Sequence, residues 1–176
     1  LAGDEMGLNG INPRGKNIYG HIIKWTPYLS DHSSDGFKWD IFAMAGNPKI
    51  HAGPKAGSKN IDENNMFNSP DGLMFDSKGF MWIGTDGNYS NLGDFSGMGN
   101  NQLLVADTNS GEIRRFLVGP RGCEITGLEW SSDRRTLFVG IQHPGAWVNS
   151  DFPDGLGKIP RASVVAVSRN DGSVFG

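Results

Sequence analysis

Three carboxylates, one histidine and two asparagines stand where this sequence could do chemistry. Asp71 lies between Pro70 and Gly72; the proline fixes the approach of the chain and the glycine permits close backbone passage, so the carboxylate is held out at the mouth of a strand. Glu124 opens the mostly apolar string Cys123-Glu124-Ile125-Thr126-Gly127-Leu128. A buried carboxylate needs a partner, and local spacing offers no cation, which leaves a metal ion or an arginine from a distant segment. Asp86 closes a second strand at Thr85-Asp86-Gly87-Asn88. Carboxylate oxygens converging from several strands make a site for a hard cation such as calcium. His143 in Gln142-His143-Pro144-Gly145 sits in a stiff turn with its ring open to a metal or a hydrogen bond. Asn68 and Asn100 could add amide oxygens. Each residue also has an ordinary reading: Asp71 and Asp86 as turn residues, Glu124 facing water at a strand mouth, the asparagines as loop positions.

The remaining titratable residues form no comparable set. His21, His32, His51 and Lys16 fall on loops or an outer hairpin without metal-type spacing. Arg134 and Arg135 follow Asp133 in a turn, and Arg114 and Arg115 straddle two faces of an outer strand; none is assigned to catalysis. There is no P-loop, Gly-x-Ser-x-Gly or zinc signature.

The elements that must position these groups are repeated hairpins. The string from Pro70 to Asp86 recurs in degenerate form from Glu124 to Gln142: Gly72-Leu73 falls on Gly127-Leu128 at an offset of 55 residues, and one extra turn residue then aligns Trp82 with Phe138, Ile83 with Val139 and Gly84 with Gly140. Each copy reads as strand, polar turn, strand. The segments 102–116 and 163–175 are two further hairpins by composition, and His21–Trp25 with Phe37–Phe42 is a looser one. Four strands per unit and this period predict an all-β fold of propeller blades. The alternative is a small two-sheet β-sandwich. About ten strands make roughly two and a half blades, too few to close a ring, so the expectation is a segment of a larger protein. The stretches 46–65 and 84–101 read as long loops of the kind that carry function.

Bulk composition agrees with this. With 26 glycines and 9 prolines among 176 residues and no sustained 3.6-residue periodicity, an all-β class is favoured over a helical one. The formal charge of -3 is mild and there is no dense basic tract, which leaves nucleic-acid and membrane-surface roles without electrostatic support. The single cysteine, Cys123, permits no intrachain disulfide. No apolar run approaches the roughly 18 residues of a membrane span.

Five collinear motifs go beyond spacing. Tyr19-Gly20-His21-Ile22-Ile23-Lys24-Trp25, Ser69 to Asp76, Trp82 to Gly87, Gly122 to Gly127 and Ile141 to Gly145 together resemble the carboxy-terminal part of the PhoX-type alkaline phosphatases, over nearly the whole chain and in order. Arg115 to Pro120 and Arg161 to Val165 extend the resemblance. It implies that residues 1–176 are the carboxy-terminal segment of a β-propeller phosphatase domain, exported to the periplasm or secreted by a bacterium, that hydrolyses phosphate monoesters with iron and calcium. It further implies that part of the metal shell lies in a missing amino-terminal part. On this basis Asp71, Glu124 and Asp86 are the expected metal ligands, with His143 and Asn68 as supporting or phosphate-contacting groups; the nucleophile and general acid are not identifiable here. A non-catalytic calcium-binding propeller module is the second reading. Expressed alone, so incomplete a propeller is expected to pair with a second copy of itself.

Overall fold

The computed structural model describes residues 11–175. Nine strands and three short 3-10 turns make up the regular structure of these residues, with no α-helix among them. The strands are β1 (His21–Pro27), β2 (Phe37–Met44), β3 (Pro70–Phe75), β4 (Phe80–Thr85), β5 (Gln102–Asp107), β6 (Ile113–Val118), β7 (Glu124–Trp130), β8 (Thr136–Gln142) and β9 (Ser163–Ser168). They form three antiparallel meanders: β1-β2, β3-β4-β5-β6 and β7-β8-β9. The second has the four strands of a complete blade.

The expected repeat appears in the strand register. Leu73 pairs with Ile83 in one sheet and Leu128 with Val139 in the next. Both hairpins carry a slip in register beside the matching glycine, between Pro70 and Leu73 and between Thr126 and Leu128. Such irregularities bend and twist a strand locally.

Why β4 and β5 are apolar on both faces follows from the layering. Met81, Ile83, Leu104 and Ala106 enter a core shared with Tyr19, Ile22, Ala43 and Phe67. Trp82 and Leu103, with alternate direction along the same strands, enter a second core with Ile125, Leu137, Val139 and Ile141. The four-stranded sheet is therefore covered on both faces, each fully buried aliphatic side chain contributing about 2 kcal/mol. A two-sheet sandwich has one such core. The two cores exclude that alternative, and the blade reading stands.

One expected strand is missing. The segment after β9 does not continue as a tenth strand among the described residues; the Phe175 N–H donates to the Arg134 carbonyl at 2.8 Å, and its ring packs against Trp130, 5.5 Å between centroids. Burial of the aromatic ring in the second core wins over continued pairing with β9.

Loop anchors fix the ends of the sheets. The Tyr19 hydroxyl donates to the Asp94 carbonyl at 2.6 Å and the Asn47 amide donates to the carbonyls of Asp94 and Ser96, so the long loop after β4 is tied to the segment after β2. His51 adds a contact of 2.9 Å to the Asp94 carboxylate.

Candidate functional site

Glu124, Asp86 and His143 meet at the ends of β4, β7 and β8. One ligand atom from each lies within 4.8 Å of the other two. Glu124 is the first residue of β7 and is paired in register with Gln142, the last of β8, so the turn that begins at His143 folds back over it. Asp86 follows β4 directly, and its N–H donates to the Ser69 carbonyl at 3.1 Å.

The position of Glu124 is governed by how closely the two sheets approach. A Cβ at Gly84 would lie 2.5 Å from the Ile125 carbonyl oxygen, so only glycine lets β4 reach β7 at this level. Glu124 is 8% exposed. Burial, and after it the negative charge of Asp86 and Asp71, pushes its carboxyl above the usual carboxylate range, while His143 acts in the opposite direction. Asp71 thus reaches Glu124 from β3 without belonging to the tightest group.

The contacts of His143 orient its ring. Its Nδ1 lies 3.1 Å from the Gly122 carbonyl, which can only accept, so Nδ1 carries a proton, and Nε2 faces Glu124 at 3.6 Å. The residue holds a φ of 38°, a left-handed conformation uncommon outside glycine. The turn is braced by the Gly145 N–H on the Arg121 carbonyl and by the Tyr89 hydroxyl on the Ala146 carbonyl at 2.6 Å.

Two buried asparagines hold the surrounding main chain. Asn68 accepts from the Asn88 N–H at 2.8 Å and donates to the Asn88 carbonyl at 3.3 Å, so its amide is engaged with the loop after Asp86. Asn101 was not singled out by the sequence. It accepts from the Thr85 hydroxyl and the Gly87 N–H, and donates to the carbonyls of Gly87 and Cys123. One amide thereby ties the residue after Asp86 to the residue before Glu124. Its neighbour Asn100 donates to the Gly119 carbonyl. Nothing in an Asn-Asn pair says which member faces inward.

Cys123, fully buried, is held protonated by desolvation, which pushes its thiol up to about 12. A thiolate role is closed to it in this environment. Neither His21 nor His51 approaches the cluster: His21 is buried against Asn17 and His51 faces Asp94.

Blade sheets carrying two carboxylates and an imidazole at their ends, with a third carboxylate beside them, define an all-β protein of the kind that gathers polar ligands where sheets converge. A family model described as alkaline phosphatase PhoX matches residues 2–145, and the chain belongs to that family. Among solved structures it is similar to one described as Pseudomonas fluorescens PhoX in complex with vanadate, a transition state analogue, with 58% sequence identity and a TM-score of 0.93 over 97% of this chain. The chain spans 30% of the length of that protein. Among curated proteins none matches.

Proposed function

We propose that this chain is the carboxy-terminal segment of a longer propeller enzyme that hydrolyses phosphate monoesters, and that Asp86, Glu124 and His143, with Asp71 alongside, hold part of its metal centre. The observation that carries the reading is the meeting of three donor side chains within 4.8 Å in a chain of the PhoX family. The donor set suits the metals. Carboxylate oxygens from Asp71, Asp86 and Glu124 fit calcium, and carboxylate with imidazole nitrogen fits iron. The crowding of carboxylates that raises the Glu124 carboxyl is relieved by a cation placed among them.

When bound, such ions supply positive charge that neutralises phosphoryl oxygens. The chain's own residues then have distinct tasks. Glu124 and Asp86 supply anionic oxygens, His143 presents Nε2, and Asn101 fixes the main chain on which both carboxylates are mounted. The remaining ligands and the groups that handle protons belong to the rest of the protein on this reading. Export to the periplasm or beyond accompanies the same proposal.

The test is turnover of p-nitrophenyl phosphate by the full-length protein. Activity is expected there, lost on chelation and restored by iron with calcium, and absent from residues 1–176 alone. Robust turnover by the isolated segment contradicts the divided site. Calcium binding without turnover by the full-length protein would make it a binding module.

A further inference from the structure

Beside the turn that begins at His143 the loops line an open cavity of about 700 Å³, within the usual size of small-molecule sites. Arg121 and Lys158 line it together with Asn149, Asp151, Phe152 and Leu156. Its far wall is a self-closed loop: the Gly155 N–H donates to the Asp151 carbonyl, the Lys158 N–H to the Gly155 carbonyl and the Arg161 N–H to the Phe152 carbonyl. The Arg161 guanidinium is occupied by the Asp154 carboxylate, with bonds of 2.9 and 2.8 Å. Among the described residues neither Arg121 nor Lys158 makes an ion pair. Two cations against the single carboxylate of Asp151 leave the lining positively charged beside apolar Phe152 and Leu156.

The cavity and the cluster share their supporting chain. The Arg121 carbonyl accepts from Gly145, and the next carbonyl, that of Gly122, holds the His143 ring. On the opposite side Asn100 lines the cavity, and the adjacent Asn101 holds the main chain of Gly87 and Cys123. The cavity therefore lies along the same main chain that carries the His143 ring and the neighbours of Asp86 and Glu124, although none of the four donor residues lines it.

We propose that the cavity receives the leaving group of a phosphate monoester bound at Asp86, Glu124 and His143, and that it favours leaving groups combining an apolar ring with a negative charge of their own. The inference rests on the phosphatase reading of the cluster. Arg121 and Lys158 supply the positive charge for the extra anion, and Phe152 with the exposed Leu156 supplies apolar surface for the ring. Both cations are exposed to water, so each is worth about three- to fivefold rather than the larger effect of a buried pair.

The experiment compares phenyl phosphate with 4-carboxyphenyl phosphate on full-length protein. The ratio of kcat/KM for the charged over the neutral substrate is expected to fall about threefold in Arg121→Ala or Lys158→Ala and about tenfold in the double variant, with Arg121→Lys recovering most of the loss. Taking the ratio within each variant cancels the different intrinsic reactivity of the two esters. A parallel calorimetric titration of 4-carboxyphenyl phosphate into chelator-stripped protein reads the subsite without turnover, and its affinity is expected to weaken in the same variants. A protein that shows the binding effect but no hydrolysis sinks the catalytic reading while keeping the subsite. An unchanged ratio, or binding indifferent to both cations, overturns the subsite.

Discussion

The Nε2 atom of His143 lies 3.6 Å from Oε2 of Glu124, longer than a hydrogen bond between them would be. Because Nδ1 donates to the Gly122 carbonyl, Nε2 is the ring atom turned toward the carboxylate, where a neutral imidazole would offer its lone pair to a cation shared with Glu124. The left-handed backbone of His143 is a strained arrangement of the kind held in place at functional sites.

The approach of the sheets at Gly84 is sensitive to a single methyl group. Gly84→Ala places a Cβ 2.5 Å from a main-chain oxygen, so a strand must move, at a cost of about 2 kcal/mol and with displacement of Glu124. Gly72→Ala, where nothing lies within 4 Å of the added atom, is expected to change stability by under about 1 kcal/mol. Chemical denaturation of both variants checks the contrast, and equal effects would mean that the sheet contact does not govern this region.

Asn101 is the second sensitive point. Asn101→Ala leaves the Thr85 hydroxyl and main-chain groups of Gly87 and Cys123 without their partner, and is expected to destabilise by about 3 kcal/mol. Asn100→Ala, which gives up one bond to the Gly119 carbonyl, should cost about 1 kcal/mol. Similar losses in the two would remove the case for Asn101 as the brace.

A pH effect is expected from His21. Burial, and further down the Arg14 guanidinium, hold its pKa below the ordinary value. The unfolded chain takes up a proton near the ordinary histidine value of about 6.5 while the folded chain resists it, so stability is full above that pH and falls as pH drops below it. Thermal midpoints measured at several pH values should decline more steeply for the parent than for His21→Gln. Parallel slopes would assign the decline to other groups.

Expressed alone, residues 1–176 are expected to self-associate. Trp25, Phe37 and Trp39 on the first hairpin are 65%, 53% and 44% exposed, and β9 offers an unpaired edge; both invite association. Light scattering during size-exclusion chromatography should show a dimer, burying about 1,200 Å² or more. A cooperative monomer would show that these surfaces tolerate water.

Much of this could be read from residue order. The Gly72-Leu73 and Gly127-Leu128 repeat predicted the hairpins because a glycine beside an apolar residue marks the same register slip in both. Glu124 stood out because an acid in an apolar string is costly unless partnered. What escaped was long-range: that Asp86 and His143, separated by 57 residues, would close on Glu124 with Asp71 reaching it from β3, and that Asn101 rather than Asn100 holds the main chain of both carboxylates. Those facts depend on how two sheets stack, and no local pattern encodes a stacking distance. The missing tenth strand has a similar origin, since Phe175 is drawn to Trp130 in a core built by distant strands.

The most direct test is Glu124→Gln in the full-length protein, because the amide keeps the shape of the side chain and removes its charge. Elemental analysis of purified parent and variant, alongside p-nitrophenyl phosphate turnover, should show bound metal and rate falling together, by about tenfold or more in affinity. Full metal content with unimpaired turnover would contradict the account and return Glu124 to the role of a buried strand residue.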